Sequence, residues 1–214
     1  MARCDLRPHT FKTAMGVIQA EYGSLGSSYH AVIGATDQMK KDWHTPKGYE
    51  KVNDLRNKVA NALTVVGNAI LNNYGEMSRS AKEWAREEKV LLNVPPIANK
   101  TKFDKAEDKM GETEDAHIDD AKLLDDAAKF KTAKESIYGH LQKMIDQTAS
   151  NDKFGYTSTT SSDPRAAMHK SLTNAKSTIE TAVNAWEKEF SATVDADKTA
   201  IETALQTQLQ NVDL

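Results

Sequence analysis

The chain has 214 residues, a formal net charge of −3 and a pI near 6.1. A slightly acidic chain has no overall attraction for nucleic acid or for anionic membrane surfaces, so neither is an expected partner. With ten glycines and five prolines, turn residues are too scarce for a many-stranded protein, which excludes an all-β fold. A composition of 39 % hydrophobic and 28 % charged residues suits long helices that each bury one stripe.

The first part of the chain carries two long patterns with a helical period. Apolar or small residues recur every three or four positions over residues 11–43 and again over residues 52–84. Thr10 can cap the first helix. Between the two patterns, Thr45 can cap a second helix, and Pro46 can occupy its first position, where no N–H is needed.

These features predict an N-terminal helical hairpin over residues 1–94. Its turn lies at residues 43–48, and its second helix runs from Pro46 to about Leu92. Pro95 and Pro96 cannot continue a helix, so residues 95–99 are predicted to be a Pro-rich linker.

The rest of the chain has a similar plan. A third helix is predicted to begin after Lys100 or Thr101. The polar stretch at residues 150–163 is predicted to be a turn loop. Asp163 and Pro164 then provide a second cap-plus-proline start for a fourth helix. Residues 100–214 are therefore predicted to be a C-terminal helical hairpin.

One hairpin cannot bury its apolar seam alone, so the economical arrangement packs the two hairpins together. The predicted fold is all-α, an elongated antiparallel four-helix bundle built from two tandem helical hairpins. Because both hairpins belong to one chain, we expect a monomer. A β-sheet in the molecule, or Ile18, Val66 and Ile179 facing water, would contradict this prediction.

No motif in the sequence indicates catalysis, and we expect no enzyme activity. The phosphate-loop, dinucleotide and Gly-x-Ser-x-Gly patterns are absent from the sequence. A di-iron site in a helical bundle needs two Glu-x-x-His pairs, and only Glu114 with His117 has that spacing. Neither a metal nor a cofactor is therefore expected. Cys4 is the single cysteine of the sequence, so an internal disulfide is excluded. We interpret Cys4 as an incidental thiol.

The three tryptophans Trp43, Trp84 and Trp186 are the largest apolar side chains. The simplest interpretation places all of them in the core. Trp43 stands at the tip of the first hairpin, where it could either staple the turn or offer a partner an anchor.

The turn residues Trp43 and Gly48, set between two amphipathic helices, resemble those of the WXG helical-hairpin family. The members of that family are small type VII secretion substrates of Gram-positive bacteria, which pair as hairpins into four-helix bundles. In this chain the Trp-x-Gly turn is longer by three residues and contains Pro46. The resemblance is best over residues 10–90, and the whole chain looks like a tandem fusion of two hairpins.

The family also carries a Tyr-x-x-x-Asp/Glu export signal after its second helix. No tyrosine in this sequence has that spacing, but Trp84 and Glu88 do. The resemblance thus implies that Trp84 and Glu88 contact the secretion machinery or another partner.

The function predicted from this resemblance is that of a non-enzymatic, type VII secretion-associated protein that acts as a secreted substrate or a binding module. It would be secreted without a cleaved signal peptide, since the start of the chain has no apolar h-region. The alternatives are a cytoplasmic coiled-coil scaffold or chaperone-like adaptor, and a helical toxin component. The last would need an apolar hairpin able to enter lipid, and no run of about 18 apolar residues is present, so stable membrane insertion is not expected.

Overall fold

The structure is a computed structural model that describes residues 2–97, 100–111 and 115–212, with the backbone alone at residues 209, 211 and 212. The predicted linker residues 98–99 and the candidate ligand Glu114 lie outside the described residues. Over the described part, the helices are α1 Pro8–Asp42, α2 Pro46–Glu87, α3 Asp120–Thr148, α4 Asn151–Phe154 and α5 Pro164–Val212. The strands are β1 Cys4–Leu6, β2 Trp43–His44, β3 His117–Ile118 and β4 Tyr156–Ser158.

The molecule is mostly helical, as the sequence predicts. Helix α1 lies along α3, and α2 lies along α5, with further contacts between α1 and α2 and between α3 and α5. The inward faces of these helices share one apolar core in which Ile18, Val66 and Ile179 are at most 1 % exposed.

The strict all-α prediction is wrong in one respect, because the described residues form two small antiparallel sheets. Strand β1 pairs with β4, and β2 pairs with β3. Each sheet joins the end of one helical hairpin to a segment from elsewhere in the chain. The short strands thus satisfy backbone groups where the chain enters or leaves a helix.

The predicted cap and start of α2 match the structure, but only residues 43–45 of the predicted turn 43–48 lie between the two helices. Pro46 is the first residue of α2, and the Thr45 hydroxyl accepts a hydrogen bond from the Gly48 amide at 2.8 Å. The predicted N-cap of α1 is wrong, because the helix begins at Pro8 with Arg7 as its N-cap. A proline at the first helical position sets the start two residues before Thr10.

Helix α2 ends at Glu87 rather than near Leu92. Lys89 has a φ of 55°, and the Val90 amide donates to the Ala85 carbonyl at 2.8 Å. A left-handed residue followed by this bond is a Schellman ending, which turns the chain away from the helix axis.

The predicted start of the third helix after Lys100 or Thr101 is also wrong, since α3 begins at Asp120. We call residues 94–97 and 100–111 the strap. Its described residues form no helix, and they pass along the groove between α1 and α2 toward the turn. Val94, Phe103 and Ala106 are its buried side chains. Polar side chains of α1 and α2 bind its main chain, which favours an extended conformation over a helix.

The second hairpin has a more elaborate connection than the predicted polar loop. Residues 150–163 contain α4 and β4, and Gly155 ends α4 with a φ of 70°. As predicted, α5 begins at Pro164, and the Asp163 carboxylate accepts a hydrogen bond from the Ala166 amide at 3.1 Å. Helix α5 has 49 residues and α2 has 42.

Candidate functional site

The indole of Trp43 is buried at the end of α1. The residue is 1 % exposed, and its ring meets Phe190 of α5 edge-on, with 5.8 Å between ring centroids. Its Nε1 donates a hydrogen bond of 2.8 Å to Asp197 Oδ2. Of the two predicted roles, the structure places Trp43 in that of a staple for the turn, with its indole joined to α5.

The same carboxylate oxygen binds the helix cap. Thr45 Oγ1 donates to Asp197 Oδ2 at 2.5 Å while it accepts from the Gly48 amide. A single hydroxyl therefore caps α2 and joins the turn to α5. Since a charged acceptor makes the stronger kind of hydrogen bond, Asp197 fixes the position of the turn on the second hairpin.

Gly48 lies directly against Trp43. A Cβ atom built on Gly48 would lie 2.2 Å from the Trp43 carbonyl oxygen and 2.6 Å from its Cγ. No side chain fits in that space, so the close approach requires glycine. The structure thus brings together the two turn residues that carry the family resemblance.

Strands β2 and β3 close the turn on its other side. His44 pairs with His117, and their rings stack with centroids 5.1 Å apart. The Asp119 amide donates to the Asp42 carbonyl at 2.8 Å, which places the start of α3 against the end of α1.

Two acids from different helices meet beside the turn. Burial and a hydrogen bond with Asp126 raise the pKa of Asp42, and the nearby Asp126 charge acts in the same direction. Asp126 is 2 % exposed and pairs with Lys129 at 2.8 Å. The carboxylate of Asp42 therefore stands in an unfavourable place, at a helix C-terminus and near a like charge.

An open groove of about 560 Å³ lies at this end of the molecule, between the turn and α5. Most of its lining is small or apolar. The lining residues are Thr45, Pro46, Asp115, Ala116, Asp197, Ala200, Ile201, Ala204, Leu205 and Gln208. We call this the turn groove.

The last part of α5 extends past the turn. Asp197 lies at the level of Trp43 and Thr45, and the described side chains after residue 201 are all exposed. Leu205 is 54 % exposed, and Ile201 is half-buried. Together with Ala204, they give this helix end an apolar face that borders the turn groove.

The second predicted contact, Trp84 with Glu88, lies at the far end of α2. At 1.5 Å per residue, Trp84 is roughly 60 Å from Thr45 along the helix. Trp84 is partly buried against the core, and Glu88 is exposed. Beside them, Val90 is 44 % and Leu91 is 98 % exposed. The structure therefore does not join the two predicted contact sites.

Cys4 and the histidines form no reactive centre within the described residues. Cys4 is 1 % exposed, and burial, with smaller contributions from Asp5 and Glu83, raises its pKa to about 12. A buried thiol of that pKa is a poor nucleophile. Among the described side chains, no group of three or more His, Cys, Asp or Glu could hold a metal ion. The helices of the described ranges include none long and apolar enough to cross a bilayer.

Asp197 and Phe190 were not predicted from the sequence as residues of this site. A signal was present, because Asp197 lies three residues after Val194 and four before Ile201. An acid in phase with an apolar seam indicates a buried polar contact. Its partners on the turn follow only from the packing of α5 against α2.

Comparisons with known proteins found no matching family model, no matching curated protein and no matching solved structure.

Proposed function

We propose that the protein is a non-enzymatic, type VII secretion-associated protein that acts as a secreted substrate or a binding module. Its fold would be a tandem WXG-like four-helix bundle that is complete in one chain and therefore monomeric. The observation that carries the proposal is the fit of Gly48 against Trp43, where a Cβ would lie 2.2 Å from the Trp43 carbonyl oxygen. The resemblance rests on these two residues, and they form one structural unit.

The turn groove is the surface that we propose for partner binding. It combines a turn that is hydrogen-bonded twice to Asp197 with the apolar face of Ile201, Ala204 and Leu205. An apolar face of this kind, next to a polar rim, suits a protein partner. The exposed Val90 and Leu91 beside Trp84 and Glu88 are a second candidate contact surface.

Export from a bacterium that encodes a type VII secretion ATPase tests the proposal. The chain should accumulate in the culture medium of that strain and stay inside cells that lack the ATPase. Leu205→Asp should reduce export several-fold, because it places a charge on the turn groove. Gln206→Asp adds the same charge to the neighbouring exposed position outside the groove lining and should be exported normally.

Retention in both strains would contradict secretion and favour the cytoplasmic adaptor. Equal export of Leu205→Asp and Gln206→Asp would be compatible with secretion of the protein. It would contradict the proposal that the turn groove is the surface recognised for export. Comparison of their unfolding curves with that of the parent chain checks that neither substitution acts through stability.

A further inference from the structure

The groove between α1 and α2 binds the strap mainly through its main chain. From α1, Tyr29 Oη donates to the Asp104 carbonyl at 2.5 Å, and Tyr22 Oη accepts from the Thr101 amide at 3.2 Å. From α2, Tyr74 Oη donates to the Pro95 carbonyl at 2.5 Å. Contacts to main-chain atoms are available to any extended peptide, whatever its sequence.

Two asparagines on α2 form a ladder along the strap. Asn57 Nδ2 donates to the Ala106 carbonyl at 2.9 Å, and Asn57 Oδ1 accepts from the Ala106 amide at 2.8 Å. One turn away, Asn53 Nδ2 donates to the Asp108 carbonyl at 2.7 Å. Four helical residues rise about 6 Å, and two extended residues span about 6.6 Å. The asparagine spacing therefore matches the repeat of an extended chain.

The strap does not satisfy this groove fully. Among the described side chains, Asn53 Oδ1 and Arg56 Nε are buried polar atoms without a hydrogen-bond partner. Both belong to α2 beside the strap, and Arg56 is 8 % exposed. Buried polar atoms normally have partners. An occupant that offers an amide to Asn53 and an acceptor to Arg56 would fit the groove better than the strap does.

Open space lies on both sides of the strap at the same place. A cavity of about 540 Å³ borders Asn53 and Asn57, and one of about 520 Å³ borders Lys40 and Arg56. Both reach the strap segment 106–108. The strap therefore has an open cleft on each flank at this point, which leaves room for larger side chains.

We propose that the α1–α2 groove is a binding site for an extended segment of a partner protein, occupied in this structure by the strap. The strap shows the chemistry of such a segment. Phe103 is buried against Tyr29, with ring centroids 5.4 Å apart, and Ala106 is buried at the asparagine ladder. The Asp108 carboxylate pairs with Lys40 at 2.7 Å. The partner segment carries an aromatic residue, a small residue three positions later and an acid two positions after that.

Displacement of the strap is feasible because little of it is buried. Most strap side chains over residues 100–111 are exposed, and each hydrogen bond to the groove contributes only about 1 kcal/mol net. Helices α1 and α2 also pack extensively against α3 and α5, while Val94 and Phe103 are the strap residues that belong to the same core cluster.

A fluorescent peptide with the sequence of residues 100–111 tests the proposal by anisotropy on the full chain. Two variants loosen the strap: Phe103→Ser removes its aromatic anchor, and Asp108→Lys places a like charge beside Lys40 at an exposed position. We expect folded loosened variants to bind the peptide at least tenfold more tightly than the parent chain, whose own strap competes. A peptide with Phe103→Ser should bind more weakly.

The control is a matched pair of asparagines. In the loosened chain, Asn57→Ala should weaken peptide binding about tenfold, because it removes two hydrogen bonds. Asn61→Ala, one turn further along α2 and exposed, should leave the affinity unchanged. Circular dichroism shows whether Phe103→Ser and Asp108→Lys fold. If one of these two variants does not fold, peptide binding is measured on the other. Absence of peptide binding by a folded loosened variant overturns the proposal, as does binding that is insensitive to Asn57→Ala.

Discussion

The two ends of the molecule are each closed by a two-stranded sheet, but different contacts hold them. At the turn end, one side chain, Asp197, binds both Trp43 and Thr45. At the opposite end, the Arg7 amide donates to the Gly155 carbonyl at 3.0 Å, and the Thr159 amide donates to the Arg3 carbonyl at 2.9 Å. The turn end therefore depends on one carboxylate shared by two side chains, whereas the opposite end combines main-chain hydrogen bonds with the guanidinium contacts of Arg7 and Arg165.

This difference decides which substitutions each end tolerates. Loss of a side chain should damage the turn end, whereas the opposite end should be most sensitive to an added Cβ at its left-handed glycine. Both ends also contain a close approach of glycine to backbone, which allows a direct comparison between them.

The largest effect is expected for Gly48→Ala at the turn end. Its Cβ would lie 2.2 Å from the Trp43 carbonyl oxygen, so the turn must open or α1 must move. We expect a loss of at least about 4 kcal/mol in the free energy of unfolding, measured by urea denaturation. Gly75→Ala on the same helix meets nothing within 4 Å and should stabilise the protein by about 0.5–1 kcal/mol. Similar curves for the two variants would contradict the close fit.

Gly155→Ala should have the next largest effect, at the opposite end. Gly155 has a φ of 70°, and its Cβ would lie 2.7 Å from the Phe11 amide nitrogen. Left-handed strain and this contact together should cost about 2–4 kcal/mol. Gly139→Ala, which meets nothing within 4 Å, is the control. A loss below about 1 kcal/mol in urea denaturation would show that this end relaxes easily.

Asp197→Ala removes the acceptor shared by Trp43 and Thr45. The buried indole N–H then lacks its partner, and we expect a loss of about 1–3 kcal/mol. The Trp43 indole proton resonance should shift in the NMR spectrum. Asp195→Ala, an exposed acid two residues earlier on α5, should change neither the stability nor this resonance. An unshifted indole resonance in Asp197→Ala would argue against the contact.

Asp42→Asn probes the electrostatics of the turn end through pH. Because the folded-state pKa of Asp42 is raised by burial and by Asp126, its ionisation lowers stability as pH rises through that pKa. Asn cannot ionise, so we expect a modest gain in stability at pH 7 and no gain at a pH below the unfolded value of 3.8. Urea curves at both pH values measure this difference. An equal gain at low pH would point to a cause other than charge.

The smallest effect is expected at the end of α2, near the opposite sheet. Lys89 is a non-glycine residue with a φ of 55°. Lys89→Gly should stabilise the protein by about 0.5–1 kcal/mol, because relief of left-handed strain exceeds the added freedom of the unfolded chain. Lys82→Gly, inside the same helix, should destabilise it by a similar amount. Thermal unfolding distinguishes the two, and a destabilised Lys89→Gly would contradict the strain.

The sequence predicted what depends on local pattern. The apolar seams predicted the long helices. The Thr45–Pro46 and Asp163–Pro164 pairs predicted the starts of two helices, because caps and prolines act within one helical turn. Trp43 and Gly48 were identified from their types and spacing. The fit between them could not be foreseen, since it depends on where the Trp43 carbonyl points.

The strap could not be predicted from local pattern. Its acids, such as Asp104 and Glu107, resemble the start of a helix, and its apolar residues are few. The side chains that hydrogen-bond to the extended strap, such as those of Tyr29 and Asn57, lie far from it in the sequence. In the sequence, Tyr29 is a position of the apolar seam and Asn57 is part of a polar helix face. Neither residue type nor spacing indicates that they bind the main chain of the strap.

The strap also decides the polarity of the second hairpin. It carries the chain from the far end of α2 back to the turn, so α3 starts beside the end of α1 and runs in the opposite direction to it. Each of the four packed pairs of long helices is then antiparallel, as shown for α3 and α5 by the contact of Lys134 with Glu187 and, further along α3, that of Gln142 with Lys176. The macrodipoles of neighbouring helices therefore oppose one another along the whole length of the core. A short linker in place of the strap would start α3 at the other end and reverse the second hairpin against the first.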